Sequence, residues 1–305
     1  MPHDHAHSHG AAQVADLTPA FRLAVVLNAG FVLIEAGAGF WAGSLALLAD
    51  AAHNLTDVAG LLIAWGAAVL AKRAASHRYT WGYGRATLLA ALGNGVAILL
   101  GAGAVIGEAL GRFAAPPEVP GLVVAAVAAV GIAVNTGTAF LFLRHRADLN
   151  ARGAYLHMMA DAAVSLAVVL GAGLMLATGA RWLDPAIAIA VSLLIAVTAA
   201  QLVADATRGL MDAVPEGRDH AALAGFLAHQ PGVAAVHDLH IWPISTTRAA
   251  LSAHLCMPAG HPGDRFLAEL AEALADHFAI AHATLQVETG PGPGCATASD
   301  CGAAT

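Results

Sequence analysis

Charge is what this chain has least of. Asp, Glu, Lys and Arg make up 11% of its 305 residues, against about 25% in a soluble globular domain. Lys72 is its one lysine, and the net charge is −7. An ordinary water-soluble fold is therefore excluded, and no nucleic-acid partner is expected. Cysteine is nearly absent as well: Cys256, Cys295 and Cys301 do not make a disulfide framework. No HExxH occurs, so a zinc-dependent intramembrane protease is excluded and no enzyme is expected. The opening MPHDHAHSHG lacks the basic start and apolar core of a secretory signal.

What fills the space is hydrocarbon. The chain is 58% hydrophobic, with a mean hydropathy of +0.67. Six apolar runs, at roughly 21–41, 45–71, 86–111, 121–143, 153–178 and 183–204, each reach the ~18–20 residues that a spanning helix needs. Pro215, Glu216, Gly217, Arg218 and Asp219 then mark a change to mixed polar and apolar sequence. The organisation expected is a His-rich tail over 1–20, a six-helix transmembrane domain over 21–206, a cytoplasmic domain over 207–290 and a Gly/Pro/Cys tail over 291–305. Basic residues gather in two loops, as Lys72, Arg73, Arg78 and Arg85, and as Arg144, Arg146 and Arg152. By the positive-inside rule both termini are then cytoplasmic, in a multi-pass protein of a bacterial inner membrane, with lipid as a constant partner.

Two polar patterns interrupt the apolar runs. His53 and Asp57 lie one helical turn apart, and so do His157 and Asp161. A charged aspartate in a bilayer costs about 2.5–3.5 kcal/mol or more, so a pattern repeated twice calls for a function. Two such helices face to face offer two imidazoles and two carboxylates, a tetrahedral set suited to Zn²⁺. Asp50 shares the face of His53 and Asp57, where hydration near the outer end and an accessory role in the exit of metal or protons are both open. Asn28 and Glu35 share a face of the first helix, where a helix–helix hydrogen bond and a transport role are both open. Arg152 stands close before His157, so the two pairs meet at one depth only if the fifth helix starts below the bilayer surface or tilts.

The stretch from Ser44 to Asp57 (SLALLADAAHNLTD), the loop Tyr79-Thr80-Trp81-Gly82-Tyr83-Gly84-Arg85 and the segment His237-Asp238-Leu239-His240-Ile241-Trp242 resemble the cation diffusion facilitator family of zinc transporters. The resemblance runs from about Arg22 to Glu288. It implies a homodimeric exporter that exchanges cytoplasmic Zn²⁺ for protons, with His53, Asp57, His157 and Asp161 as the transport site. A His at position 53 is associated in that family with zinc over manganese and iron. Exporters of the same family that prefer Co²⁺, Cd²⁺ or Ni²⁺ are the competing reading, because such a site does not discriminate sharply by affinity. A metal sensor or buffer that does not transport is the other alternative, and it leaves the intramembrane pairs unexplained.

Beyond residue 207 the pattern predicts a helix over 219–229, strands over 233–243 and 247–257, a helix over 264–278 and a strand over 282–288. That α+β order, with the family resemblance, implies a ferredoxin-like, metallochaperone-like domain. The resemblance picks out His237, His254, His282 and Glu288 as a regulatory metal site, with His261 as a fifth ligand. His240 is read as packing or dimer surface. The tract His3, Asp4, His5, His7 and His9 suits weak metal capture. Cys295 and Cys301 are candidate tail ligands, and His77 reads as a solvated loop residue.

Overall fold

The computed structural model describes residues 19–142 and 149–289, with the side chains of residues 19–22, 24, 25, 57, 61, 64, 65, 142, 149–154, 156 and 157 excepted. The His-rich tract His3–His9, the cysteines Cys295 and Cys301, and the loop arginines Arg144 and Arg146 lie outside the described residues. The chain forms two compact units. One holds residues up to 66 with Ala90–Val203, the other Ala67–Leu89 with residues from 204 on.

Six long helices come first in chain order: α1 (Pro19–Ala42), α2 (Leu45–Ala71), α3 (Ala86–Arg112), α4 (Gly121–Phe142), α5 (Leu149–Thr178) and α6 (Leu183–Leu210). Among the described residues, four stretches are long and apolar enough to cross a membrane: Ala86–Arg112, Gly121–Leu141, Met158–Thr178 and Leu183–Leu210. In α1 the apolar stretch Val26–Ala42 is shorter. The first unit buries polar groups among its apolar core and exposes large apolar side chains. Glu35, Asp50, Asn135, Asp161, Ser165 and Asp184 are buried while Leu33, Ile34, Phe40, Leu122 and Leu170 are exposed. That inversion is what a hydrocarbon solvent selects.

Helix ends in such a solvent have no water to satisfy their first N–H groups. The start of α2 is served by a carboxylate from α6 instead. Asp184 Oδ2 accepts from Leu45 N at 2.8 Å, Asp184 Oδ1 accepts from the Ser44 hydroxyl, and Ser44 Oγ accepts from Leu47 N at 3.3 Å. The turn before it closes on Gly43, whose φ of +65° favours glycine.

The register of α4 on α5 can be read from close contacts. A Cβ at Gly121 would meet Met175 and Leu176, and one at Gly131 would meet Ser165 Oγ at 3.1 Å and Phe31 Cζ at 2.8 Å. Ten residues along α4 thus match ten back along α5, so the two helices run antiparallel. Val124 and Ala128 fall between these contacts and cluster with Val168 and Ala172. Helix α5 begins at Leu149, ahead of Arg152, so His157 lies eight residues inside the helix.

The second unit carries α7 (His220–Ala228), β1 (Ala235–Pro243), β2 (Ala249–Cys256), α8 (Asp264–Phe278) and β3 (Ile280–Glu288). The sheet order is β1-β2-β3, with β1 and β2 antiparallel and β2 and β3 parallel. Asp219 caps α7 by accepting from Ala221 N at 2.9 Å. Leu223 and Leu227 of α7, Leu270 and Leu274 of α8, and Leu251, Leu255 and Ile280 of the sheet form one buried core. Alternation along β2 buries Leu251, Ala253 and Leu255 on the helix side and leaves Ser252, His254 and Cys256 half-buried on the opposite face. The segment Ala67–Leu89 belongs to this unit. The Trp81 ring stands edge-on to His282 at 4.9 Å, Thr87 Oγ1 accepts from Thr246 N at 3.0 Å, and Arg85 pairs with Asp212. Gly84 is required there, because a Cβ would sit 2.5 Å from the Ile244 carbonyl oxygen.

Candidate metal centres

In the first unit, the expected transport residues come from α2 and α5. His53 Nε2 lies 3.5 Å from Asp161 Oδ1, with Asp161 only 3% exposed. Asp57 and His157 share these helices, and their side chains lie outside the described set. The structure therefore brings together one member of each HxxxD pair.

A second polar layer sits one turn from His53. Asp50 accepts from Ser165 Oγ at 3.1 Å, Asn54 Nδ2 donates to Glu35 Oε2 at 3.3 Å, and the two carboxyl groups face each other. Glu35 and Asp50 are wholly buried. Asn28 joins the interior by donating to Met158 Sδ at 3.6 Å.

In the second unit, ligand-type side chains converge on the outer sheet face. His237, Cys256 and Glu288 have ligand atoms within 4.8 Å of one another. Strand register explains it: Cys256 pairs with Glu288 across β2–β3, and His237 pairs with His254 across β1–β2. His254 Nδ1 lies 2.9 Å from Glu288 Oε1 without hydrogen-bond alignment, and His237 Nε2 is 3.3 Å from Glu288 Oε2. A β-bulge between His237 and His240 sets Asp238 at φ +50°. Its carboxylate reaches His254 Nε2 at 3.3 Å and His240 Nε2 at 3.0 Å.

Comparison with known proteins follows this geometry. A family model described as the cation efflux transmembrane domain matches residues 21–211, and one described as the cation efflux protein cytoplasmic domain matches 215–290. The chain belongs to the cation efflux (cation diffusion facilitator) family. It is 36% identical over 299 residues to zinc transporter ZitB of Escherichia coli, covering 95% of each chain. It is 35% identical over 295 residues to a cadmium, cobalt and zinc/H⁺-K⁺ antiporter of Bacillus velezensis, covering 95% of this chain and 92% of that one. The metal-bound C-terminal domain of the CzcD transporter from Cupriavidus metallidurans is 39% identical over 23% of this chain and 97% of that structure, with a TM-score of 0.22.

As a cation efflux protein the chain is a multi-pass membrane transporter, and its second unit contains the family's cytoplasmic domain. The donors assembled there fit Zn²⁺: imidazole, thiolate and carboxylate are its ordinary ligands, and the Nδ1 atoms of His237 and His254 are buried without a hydrogen-bond partner. Cys256 is the residue that sequence reasoning passed over. Its signal was the two-residue step from His254, which puts both on one face of a strand. Two of the expected ligands are not in this cluster. His282 pairs with Ala250, six residues before Glu288 on β3, and packs on Trp81. His261 lies in the exposed turn before α8, where its Nδ1 accepts from Gly263 N at 3.1 Å.

Proposed function

We propose that this protein exports Zn²⁺ from the cytoplasm in exchange for protons, as a homodimer in a bacterial inner membrane. In this reading it has six spans, both termini inside, and the domain limits expected from the sequence. The observation that carries it is the His53–Asp161 approach, which joins the two HxxxD helices at 3.5 Å in the interior of the first unit. The transport site is His53, Asp57, His157 and Asp161. Asp50 and its neighbour Glu35, one turn outward, receive the ion or the proton on its way out.

Exchange follows from competition for the same lone pairs. Imidazole must be neutral and aspartate ionised to hold the metal, so binding expels protons and acid expels metal. With the site open to the cytoplasm, Zn²⁺ displaces protons. With it open to a more acidic outside, protonation releases Zn²⁺ and the protons return. Rocking of the helix bundle supplies the alternation. The ion crosses chemically unchanged, so no catalytic step is involved.

His237, His254, Cys256 and Glu288 would hold a regulatory Zn²⁺ that ties β1, β2 and β3 together and, through the dimer, biases the transport cycle. His282 and His261 are left out of that set on the placement given above.

Uptake into inside-out vesicles, one metal at a time, tests the main reading. Zn²⁺ accumulation driven by an acidic lumen is expected; the absence of any pH-driven Zn²⁺ flux would overturn it. A secondary Cd²⁺ and Co²⁺ flux is in keeping with the Bacillus velezensis relative, whose name carries both metals. Selectivity has its own test. His53→Asp replaces a nitrogen donor by oxygen and is expected to raise Mn²⁺ and Cd²⁺ flux relative to Zn²⁺. An unchanged metal profile would move selectivity away from position 53.

A further inference from the structure

Asn135 is wholly buried on α4, and neither its Oδ1 nor its Nδ2 has a hydrogen-bond partner. A buried primary amide with both ends unsatisfied is costly, at about 1–3 kcal/mol for each group left bare. Leucine of nearly the same volume would remove that cost, so the amide calls for a ligand.

The helix register says where the amide lies. Gly121, Val124, Ala128 and Gly131 form the α4 stripe that meets Ala172, Val168 and Ser165 of α5. The steps between them are those of one helix face, and Asn135 is the next position on that stripe, one turn beyond Gly131. Because α5 runs antiparallel, one turn back from Ser165 is Asp161. Asn135 therefore stands level with Asp161. The α1 register agrees: Asn28 meets Met158, and seven residues on in both helices Glu35 shares the layer of Ser165. Phe31 of α1 packs against α4 at Gly131, one turn from this layer, where a Cβ would lie 2.8 Å from its Cζ. His53, Asp161 and Asn135 thus form one layer.

We infer that Asn135 is a further contact of the transported cation, its carboxamide oxygen facing the ion held at Asp161. The inference rests on the transport site proposed above and deepens it. A neutral oxygen beside two imidazoles and two carboxylates raises the donor number from four to five. A fifth oxygen suits ions that accept more than four ligands, Cd²⁺ and Co²⁺ above Zn²⁺. Asn135 is then a specificity-determining residue: it widens the range of metals that a site built for tetrahedral Zn²⁺ carries.

The test uses the full chain in inside-out vesicles, with Zn²⁺ and Cd²⁺ flux measured for Asn135→Leu, Asn135→Ala and Asp161→Ala. Both Asn135 variants are expected to raise KM roughly 10- to 100-fold, more for Cd²⁺ than for Zn²⁺. The melting midpoint of Asn135→Leu is expected to be unchanged or higher, which a merely structural amide network would not allow. Should Asn135→Leu fail to insert, Asn135→Ala is read in the same way. Wild-type KM for both metals in an inserted Asn135 variant, with Asp161→Ala inactive, overturns the inference and leaves the site standing. Normal transport by Asp161→Ala overturns the site and the inference together.

Discussion

Asp161→Ala is expected to reduce zinc export to background while the protein still folds and inserts. Asp161 is 3% exposed and its Oδ1 stands 3.5 Å from His53 Nε2, so removing it takes away an anionic donor at the layer where α2 and α5 meet. Alanine in its place makes α5 more apolar, which eases insertion by about 2.5–3.5 kcal/mol on the scale of a mid-membrane carboxylate. Lost flux with intact insertion therefore reports on binding. Pelleting the membranes, solubilising them and checking for a monodisperse species controls for folding. Zn²⁺ flux at the wild-type rate from an inserted Asp161→Ala protein would remove Asp161 from the transport site.

The same variant isolates the second metal site for the other large effect. With the transport site disabled, added Zn²⁺ is expected to raise the melting midpoint of the purified full chain. Linkage gives about 2.7 kcal/mol of stabilisation at a hundred times the Kd. Cys256→Ala is expected to remove most of that shift, because it deletes the one thiolate in a cluster whose ligand atoms lie within 4.8 Å. His282→Ala, at a ring packed on Trp81 rather than near Glu288, is expected to leave the shift intact. Acidification should shrink the shift, since imidazole and thiolate bind metal only when deprotonated. A zinc-dependent midpoint that survives Cys256→Ala unchanged would place the ligands elsewhere.

The helical elements were legible because their signals are local. A run of apolar residues long enough for a bilayer, and an i,i+4 His–Asp step, are properties of consecutive residues, so α2, α5, His53 and Asp161 were found from the sequence. The order α7, β1, β2, α8, β3 was legible for the same reason: alternation and helical periodicity need no partner. The cytoplasmic cluster was only partly legible. The sequence points to His237, His254 and Glu288 but not to Cys256 beside them, nor to the separation of His282 and His261 from them, because which residues share a patch depends on register between strands.

By itself, then, the sequence determined a helical membrane domain, an α+β domain after it, and the histidines and aspartates that do not belong in hydrocarbon. Only the tertiary structure decided which of those side chains meet. The antiparallel fit of α4 on α5 brings Gly131 onto Ser165, Asp184 of α6 caps α2, and the pairing of β2 with β3 puts Cys256 beside Glu288. The reason is physical. Periodicity along one chain selects the face a side chain occupies, but the register between two elements is set by where glycines, alanines and bulges let their surfaces close, and that information belongs to both elements at once.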